Sequence, residues 1–150
     1  MKRYTYQDNN DGVDRIGVEC SGWRGMLWPL EAFGLKFRDM HDLICHITPA
    51  QLARIADAEN ATEGNALRLT NVRLRSPIPH PEQDIVCLGI TYADHAVESA
   101  RFHEQSFLLS RENATYFRKR AYEPTGSGDP IPSYEGLVTE LAQEVELGVV

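Results

Sequence analysis

Two glutamates separated by one valine stand near the C-terminal end of the sequence and have the spacing of a metal-binding pair. Glu144 and Glu146 lead into an apolar, β-branched run that reaches Val150. On a strand, residues two apart project from the same face at a separation of about 7 Å, so Val145 and Leu147 would face a core. Paired carboxylates suit a hard divalent cation such as Mg²⁺, Mn²⁺ or Ca²⁺. The solvated face of an edge strand has the same spacing, and the pair by itself favours this interpretation.

A histidine and a glutamate three residues apart form a second candidate for chemistry. His95 and Glu98 follow Thr91 and Asp94, and either of these two can cap a helix. Side chains at positions i and i+3 share one face of a helix. A carboxylate beside an imidazole orients its tautomer and raises its basicity, which is what a general base requires. An ordinary surface pair on an exposed helix has the same spacing, so both interpretations stay open here.

The composition is that of an ordinary globular chain and argues against several classes of protein. The 150 residues suffice for one domain, or for one small domain and part of another; 42% are hydrophobic and 25% charged. A net charge of −7 disfavours a nucleic-acid surface, which needs clustered Lys and Arg. The sequence has neither a membrane-spanning apolar run nor the apolar segment of a signal peptide. We therefore expect a cytoplasmic protein that binds neither nucleic acid nor membrane.

The cysteines agree with a reducing compartment. Cys20, Cys45 and Cys87 are odd in number and have no CxxC spacing. Reduced thiols are the simplest interpretation. Cys45 and His46 are neighbours, but two adjacent residues do not form a zinc site, so we expect Cys45 to be a buried core residue.

Residues 1–75 are predicted to form a small N-terminal β/α domain. Short apolar and β-branched runs separated by Asp, Asn and Gly predict a meander of three strands, at residues 3–7, 13–19 and 24–30. Asp39 can cap a helix over residues 40–46, and Thr48 before Pro49 predicts the start of another. Leu and Val alternate with arginines over residues 67–74, which indicates one further half-exposed strand.

A proline-rich segment, residues 76–83, is predicted to link two domains. Pro77, Pro79 and Pro81 resist both helix and central strand and hold the chain extended. The continuous apolar run at residues 84–90 then indicates a strand buried on both faces. We therefore expect a second domain over residues 84–150.

Four segments of this second part recur in a fixed order in one known family. They are the apolar strand ending in Gly89 with Tyr92–Glu98 behind it, then Tyr116–Lys119, then Gly126–Ile131, and finally Glu144–Val150. In this order they resemble the fumarylacetoacetate hydrolase family. The resemblance is strong from Asp84 to Val150. Residues 1–75 look like the smaller N-terminal domain of the family's bacterial two-domain members.

The resemblance implies a fold, a cofactor and a set of site residues. The implied fold is α+β and β-rich, with the small N-terminal domain followed by the first part of a mixed β-roll/sandwich catalytic domain. Glu144 and Glu146 would be ligands of Mg²⁺ or Mn²⁺, for which Ca²⁺ can substitute. His95 and Glu98 would be the catalytic pair, and Lys119 would lie near the substrate. The resemblance also implies a homodimer.

The family's shared chemistry is the cleavage, decarboxylation or isomerisation of 2-oxo acids and 1,3-dicarbonyl compounds. A metal chelated by such a substrate polarises its carbonyl group and stabilises negative charge on oxygen. Members supply a further acidic ligand and a lysine from sequence beyond the glutamate pair, so we expect this chain to be the first part of a longer protein. The alternative is a non-catalytic binding or assembly module, or an inactive fragment, in which the acids only solvate a strand.

Overall fold

A computed structural model describes residues 1–57, 65–89, 115–141 and 145–150. Its described part contains one five-stranded antiparallel sheet, two α-helices and one two-stranded sheet. The elements are β1 (Lys2–Asp8), β2 (Asp14–Glu19), β3 (Met26–Pro29), α1 (Met40–His46), α2 (Pro49–Asp57), β4 (Leu67–Arg68), β5 (Val72–Leu74), β6 (Ile85–Leu88) and β7 (Tyr116–Lys119). This content confirms that the chain is α+β and β-rich.

The β1–β2 hairpin lies at the centre of the larger sheet, where the sequence predicted the first two strands of a meander. Thr5 pairs with Ile16 and Tyr6 with Arg15. Gly12 closes the turn with a φ of 66°, a conformation that favours glycine, and donates its N–H to the carbonyl of Asp8. The predicted meander is confirmed by the pairing of β2 with β3.

The larger sheet curls until its two edges approach each other. Its strand order is β4-β3-β2-β1-β5, and β4 and β5 are separated in sequence only by a 3₁₀ turn at Leu69–Asn71. The outer strands of a flat five-stranded sheet would be about 19 Å apart. The short link lets the chain advance by no more than about 14 Å, so the sheet cannot be flat.

This curl explains why the predicted single strand over residues 67–74 is wrong. β4 pairs with β3 at one edge, whereas β5 pairs with β1 at the other. The 3₁₀ turn carries the chain from one edge to the other, and Leu69 N–H donates to the Gly25 carbonyl across 2.9 Å. The alternation of Leu and Arg was correctly assigned to strand, but the change of pairing partner is a non-local property that alternation cannot reveal.

The hydrophobic core joins strands β2 and β3 to both helices. Its buried members are Ile16, Val18, Cys20, Trp28, Leu30, Leu35, Met40, Leu43 and Ile55. Trp28 meets Trp23 edge to face, with ring centroids 6.1 Å apart, an arrangement that aromatic pairs prefer. Burying each large apolar side chain contributes about 1.5–3 kcal/mol. This core therefore holds the N-terminal elements together.

Both helices begin at the caps that the sequence predicted. The side chain of Asp39 accepts the N–H of Asp42 across 2.8 Å. At the start of α2, Thr48 Oγ1 accepts the N–H of Gln51, and Gln51 Oε1 accepts the N–H of Thr48, which forms a capping box. Helix α2 ends at Asp57. In the described part of the chain, no helix has the length and apolarity needed to cross a bilayer.

The proline-rich segment starts out packed on the larger sheet. Arg75 N–H donates to the Thr5 carbonyl, and Thr5 Oγ1 donates to the Pro77 carbonyl across 2.6 Å. Ser76 is buried, and Ile78 packs against the core. The first residues of the predicted linker are thus fixed against β1. The domain division at residues 76–83 stays a prediction.

The predicted strand at residues 84–90 is present as β6, but its predicted burial on both faces is wrong. β6 pairs antiparallel with β7, with Cys87 opposite Phe117. Ile85, Val86 and Leu88 are all exposed, Val86 by 66%. Within the described ranges this sheet has two strands, and two strands do not bury both of their faces.

The predicted strand at the C-terminal end is wrong for the residues that the structure describes. Residues 145–150 form neither helix nor strand. Val145 and Leu147, which the sequence predicted to face a core, are both exposed, Val145 by 93%. Burial of one face is what fixes the register of a strand. Because neither face of residues 145–150 is buried, the alternating pattern does not produce a strand there.

Candidate functional site

The predicted site residues fall partly inside and partly outside the described residues. Lys119 lies at the end of β7, and Glu146 lies in the C-terminal segment. His95, Glu98 and Glu144 lie outside the described residues. The structure therefore neither brings the five residues together nor separates them, and their grouping stays a prediction.

Lys119 is the predicted site residue with the best-defined surroundings. It ends β7 opposite Ile85 of β6. Its Nζ lies 5.6 Å from the centre of the Phe117 ring, close enough for a cation–π attraction. Residues two apart share one face of a strand, which explains the contact. The ring steadies an exposed ammonium group that can donate hydrogen bonds to an anion.

The described residues do not compose a metal centre by themselves. Within residues 1–57, 65–89, 115–141 and 145–150, no three His, Cys, Asp or Glu side chains converge at ligand distances. Glu146 is exposed, and its predicted co-ligand Glu144 lies outside this part of the chain. Two carboxylates fit a hard cation by their donor chemistry. The geometry of the described residues adds nothing to that argument.

The glycine-rich segment forms the tight turn that the sequence predicted. The Asp129 N–H donates to the Gly126 carbonyl, and Asp129 Oδ2 accepts the Gly126 N–H across 3.1 Å. Gly128 has a φ of 82°. A Cβ atom on Gly126 would come within 2.7 Å of the Leu74 carbonyl and 3.0 Å of the Arg75 Cα. The turn therefore lies directly against β5, and glycine permits this close approach.

Two arginines bind acids of the segment that contains the turn: Arg73 lies in β5, and Arg75 directly follows this strand. Arg73 Nη2 lies 3.0 Å from Asp129 Oδ1, and Arg75 Nη2 lies 2.7 Å from Glu123 Oε1. Arg75 Nε also faces Asp14 of β2 at 3.4 Å. The Arg73 guanidinium lowers the pKa of Asp129, and the Arg75 guanidinium lowers the pKa of Glu123. These pairs connect the larger sheet to residues 123–129.

Sequence reasoning missed this contact. The alternation around residues 67–74 predicted that the interleaved arginines lie on the exposed side of a strand. This is correct for Arg73 on β5 but not for the Arg75 side chain, which follows β5 and is only 12% exposed; both arginines bind acids. The residues that bind them stand 48 and 56 positions later in the chain. The sequence contains one indication of this contact. Arg73 and Arg75 are two residues apart, so on a strand both would project from the same face and could bind one acidic segment.

A cavity of about 500 Å³ lies elsewhere, between the β1–β2 hairpin, the start of α1 and the proline-rich segment. Its lining includes Arg38, Arg75, His41 and His80 but neither of the two predicted site residues that the structure describes, Lys119 and Glu146. Acids lie beside these basic groups: Arg38 contacts Asp39, and the His41 ring lies 3.3 Å from a Glu82 carboxylate oxygen. Each arginine of the described lining is therefore paired with an acid, which offsets the positive charge that would attract an anionic substrate.

The cysteines form no disulfide. All three are free thiols. Cys20 is buried as a core residue, but the prediction that Cys45 is buried is wrong, because it lies on the exposed face of α1 with its Sγ 3.6 Å from His41 Nε2.

Comparison with known proteins tests the family resemblance. No protein-family model matches the chain. A stretch of 101 residues, 67% of the chain, is 37% identical to oxaloacetate tautomerase YisK of Bacillus subtilis (strain 168), a member of the fumarylacetoacetate hydrolase family. The chain belongs to this family. The aligned stretch covers 32% of YisK, so the chain spans about a third of the length of the curated relative it matches.

Proposed function

We propose that the protein is an isomerase that interconverts the keto and enol forms of a 2-oxo acid such as oxaloacetate. The observation that carries this proposal is the 37% identity over 101 residues to an enzyme named as an oxaloacetate tautomerase. The hydrolysis and decarboxylation implied by the family resemblance also develop an enolate, but it is the enolate of the shortened product and not that of the intact substrate. Tautomerisation is the narrowest function that this relative supports.

The reaction needs one proton moved between two atoms of the substrate. A base removes a proton from C3 of the 2-oxo acid, the electron pair moves to the C2 carbonyl oxygen, and that oxygen is protonated to give the enol. We assign the proton transfer to His95, with Glu98 orienting its imidazole. The Lys119 ammonium group would bind a substrate carboxylate.

Glu144 and Glu146 are assigned to hold Mg²⁺ or Mn²⁺. When bound, such an ion polarises the substrate carbonyl and favours negative charge on its oxygen. Further ligands are needed, because hard divalent cations take about six oxygen atoms. The domain division at residues 76–83, the mixed β-roll/sandwich architecture after it and a homodimer belong to the same proposal.

The assay is the conversion of the enol form of oxaloacetate by the intact protein, followed by ultraviolet absorbance with Mg²⁺ or Mn²⁺ present. We expect His95→Ala to lower kcat by about a hundredfold or more, which is the usual contribution of a general base. The matched control is His46→Ala, an exposed histidine of α1 outside the assigned site, which should leave turnover unchanged.

Two outcomes would contradict the proposal. One is a wild-type protein that does not accelerate tautomerisation over buffer under these conditions. The other is an active protein whose rate is the same after His95→Ala. Activity that persists after chelation of divalent ions would contradict the metal assignment alone.

A further inference from the structure

We propose that Arg73 and Arg75 are positioning residues for the substrate-binding part of the site. Through Glu123 and Asp129 they hold the segment after β7 against the larger sheet, and so fix the place of Lys119. This inference rests on the proposed role of Lys119 in binding substrate.

Three separate contacts dock this segment on β5 and on Arg75, the residue that follows it. Asp129 pairs with Arg73, Glu123 pairs with Arg75, and the backbone of Gly126 lies against the backbone of Leu74 between them. β5 is an outer strand of the sheet. Contact with a folded-back loop is one way in which proteins cover such an edge. The two ion pairs stand on either side of the glycine contact and define the orientation of the turn.

The two arginines differ in how firmly they are held. The Arg75 side chain is 12% exposed, and its Nε faces Asp14 of the neighbouring hairpin. The contact with Asp14 thus orients the Arg75 guanidinium group independently of its contact with Glu123. The Arg73 side chain is about half exposed, and an exposed ion pair by itself contributes little. We expect Arg75 to have the larger effect on the segment.

The covalent chain carries this positioning to Lys119. Lys119 is paired with Ile85 on β6 at one side. At the other side only residues 120–122 separate it from Glu123, so the two Cα atoms lie no more than about 14 Å apart. The end of β7 is therefore held both by its partner strand and by the contact of Glu123 with Arg75.

The first test measures amide hydrogen exchange in the double variant Glu123→Gln with Asp129→Asn. These substitutions remove the charges from the docked segment without disturbing Asp14 or the sheet. We expect exchange of the amides in residues 116–129 to rise about tenfold, because a hydrogen bond to a charged group contributes roughly that factor. Amides of β1 and β2 should be unchanged. The control is Arg68→Ala, on the opposite edge strand.

The second test measures the kinetics of the intact protein with oxaloacetate. Loss of uniform substrate binding raises KM and leaves kcat unchanged. We expect this pattern from Glu123→Gln with Asp129→Asn and also from Lys119→Met. If Glu123 and Asp129 act through Lys119, the triple variant Glu123→Gln, Asp129→Asn, Lys119→Met should have the same KM as Lys119→Met alone. The effects of residues that act as one coupled unit are not additive.

The possible failures can be told apart. A wild-type protein without turnover contradicts the proposed function, while hydrogen exchange still reports the docking. Turnover with unchanged exchange in the double variant contradicts the positioning inference. The positioning inference is also contradicted if β1 and β2 lose as much protection from exchange as residues 116–129. It is contradicted as well if the acid substitutions raise KM by the same factor with and without Lys119→Met.

Discussion

At the scale of single residues, Glu19 is the acid with the most consequential surroundings. It is 8% exposed, and its carboxylate accepts the Tyr4 hydroxyl and the Gly25 N–H, each across 2.8 Å. The Gly25 N–H and the Tyr4 hydroxyl lower the pKa of Glu19 below its ordinary value of 4.5. A depressed pKa means stability that is present above the ordinary value and is lost as the pH falls through the folded value.

We therefore predict that Glu19→Ala lowers the free energy of unfolding by about 1–3 kcal/mol at neutral pH, because two part-buried hydrogen bonds to a charged acceptor are lost. Urea denaturation measures the change. Glu31→Ala removes an exposed acid and serves as the control. The difference between the Glu19 variant and wild type should shrink as the pH is lowered below 4.5. A pH-independent difference would contradict the electrostatic part of this explanation.

At the scale of elements, the turn at Gly126–Asp129 depends on its close approach to β5. A Cβ atom at position 126 would meet the Leu74 carbonyl at 2.7 Å, and a strand backbone cannot yield as a flexible side chain does. We predict that Gly126→Ala displaces the turn and speeds tryptic cleavage after Lys119 and Arg120. Gly148→Ala is the control, because the space at that glycine is open. Equal cleavage rates for the two variants would rule out close packing of the turn on β5.

The same scale shows which elements the sequence could predict. β1, β2 and both helix starts follow from local signals: alternation, the Gly12 turn, the Asp39 cap and the Thr48 capping box. The split of residues 67–74 depends on a change of pairing partner, which no local pattern contains. The exposure of β6 likewise depends on which other elements pack against the strand. The apolar run at residues 84–90 favours a strand, but it does not determine whether other elements cover the faces of that strand.

At the scale of the whole molecule, the described chain exposes apolar side chains on its smaller sheet. Val86 and Tyr116 are both about two-thirds exposed, and adjacent exposed apolar groups mark interaction surfaces. We predict that Val86→Lys reduces binding of a hydrophobic dye while changing the free energy of unfolding by less than about 0.5 kcal/mol, because the site is already exposed. Val13→Lys, in the hairpin turn, should reduce dye binding less. A large loss of stability would show instead that Val86 is buried in solution.

The assignment of the candidate site depends on the order of its motifs, and it stays a prediction. Glu144 with Glu146 and His95 with Glu98 each allow a solvated surface as readily as a site, because spacing does not report burial or a third ligand. The order of four segments identified the family, and similarity to YisK confirms it. No local pattern predicts the contact of Arg75 with Glu123, because the two residues are 48 positions apart in the chain.

The edge-to-face pair of Trp23 and Trp28 has a practical consequence for following this protein in solution. These are both of the tryptophans in the chain, and both lie on or beside the larger sheet. Intrinsic tryptophan emission and the near-ultraviolet circular dichroism of the pair therefore report on the packing of that sheet. Loosening of β6, β7 and the turn after them can proceed without a change in tryptophan emission, so a melting curve recorded by tryptophan fluorescence describes only one part of the molecule.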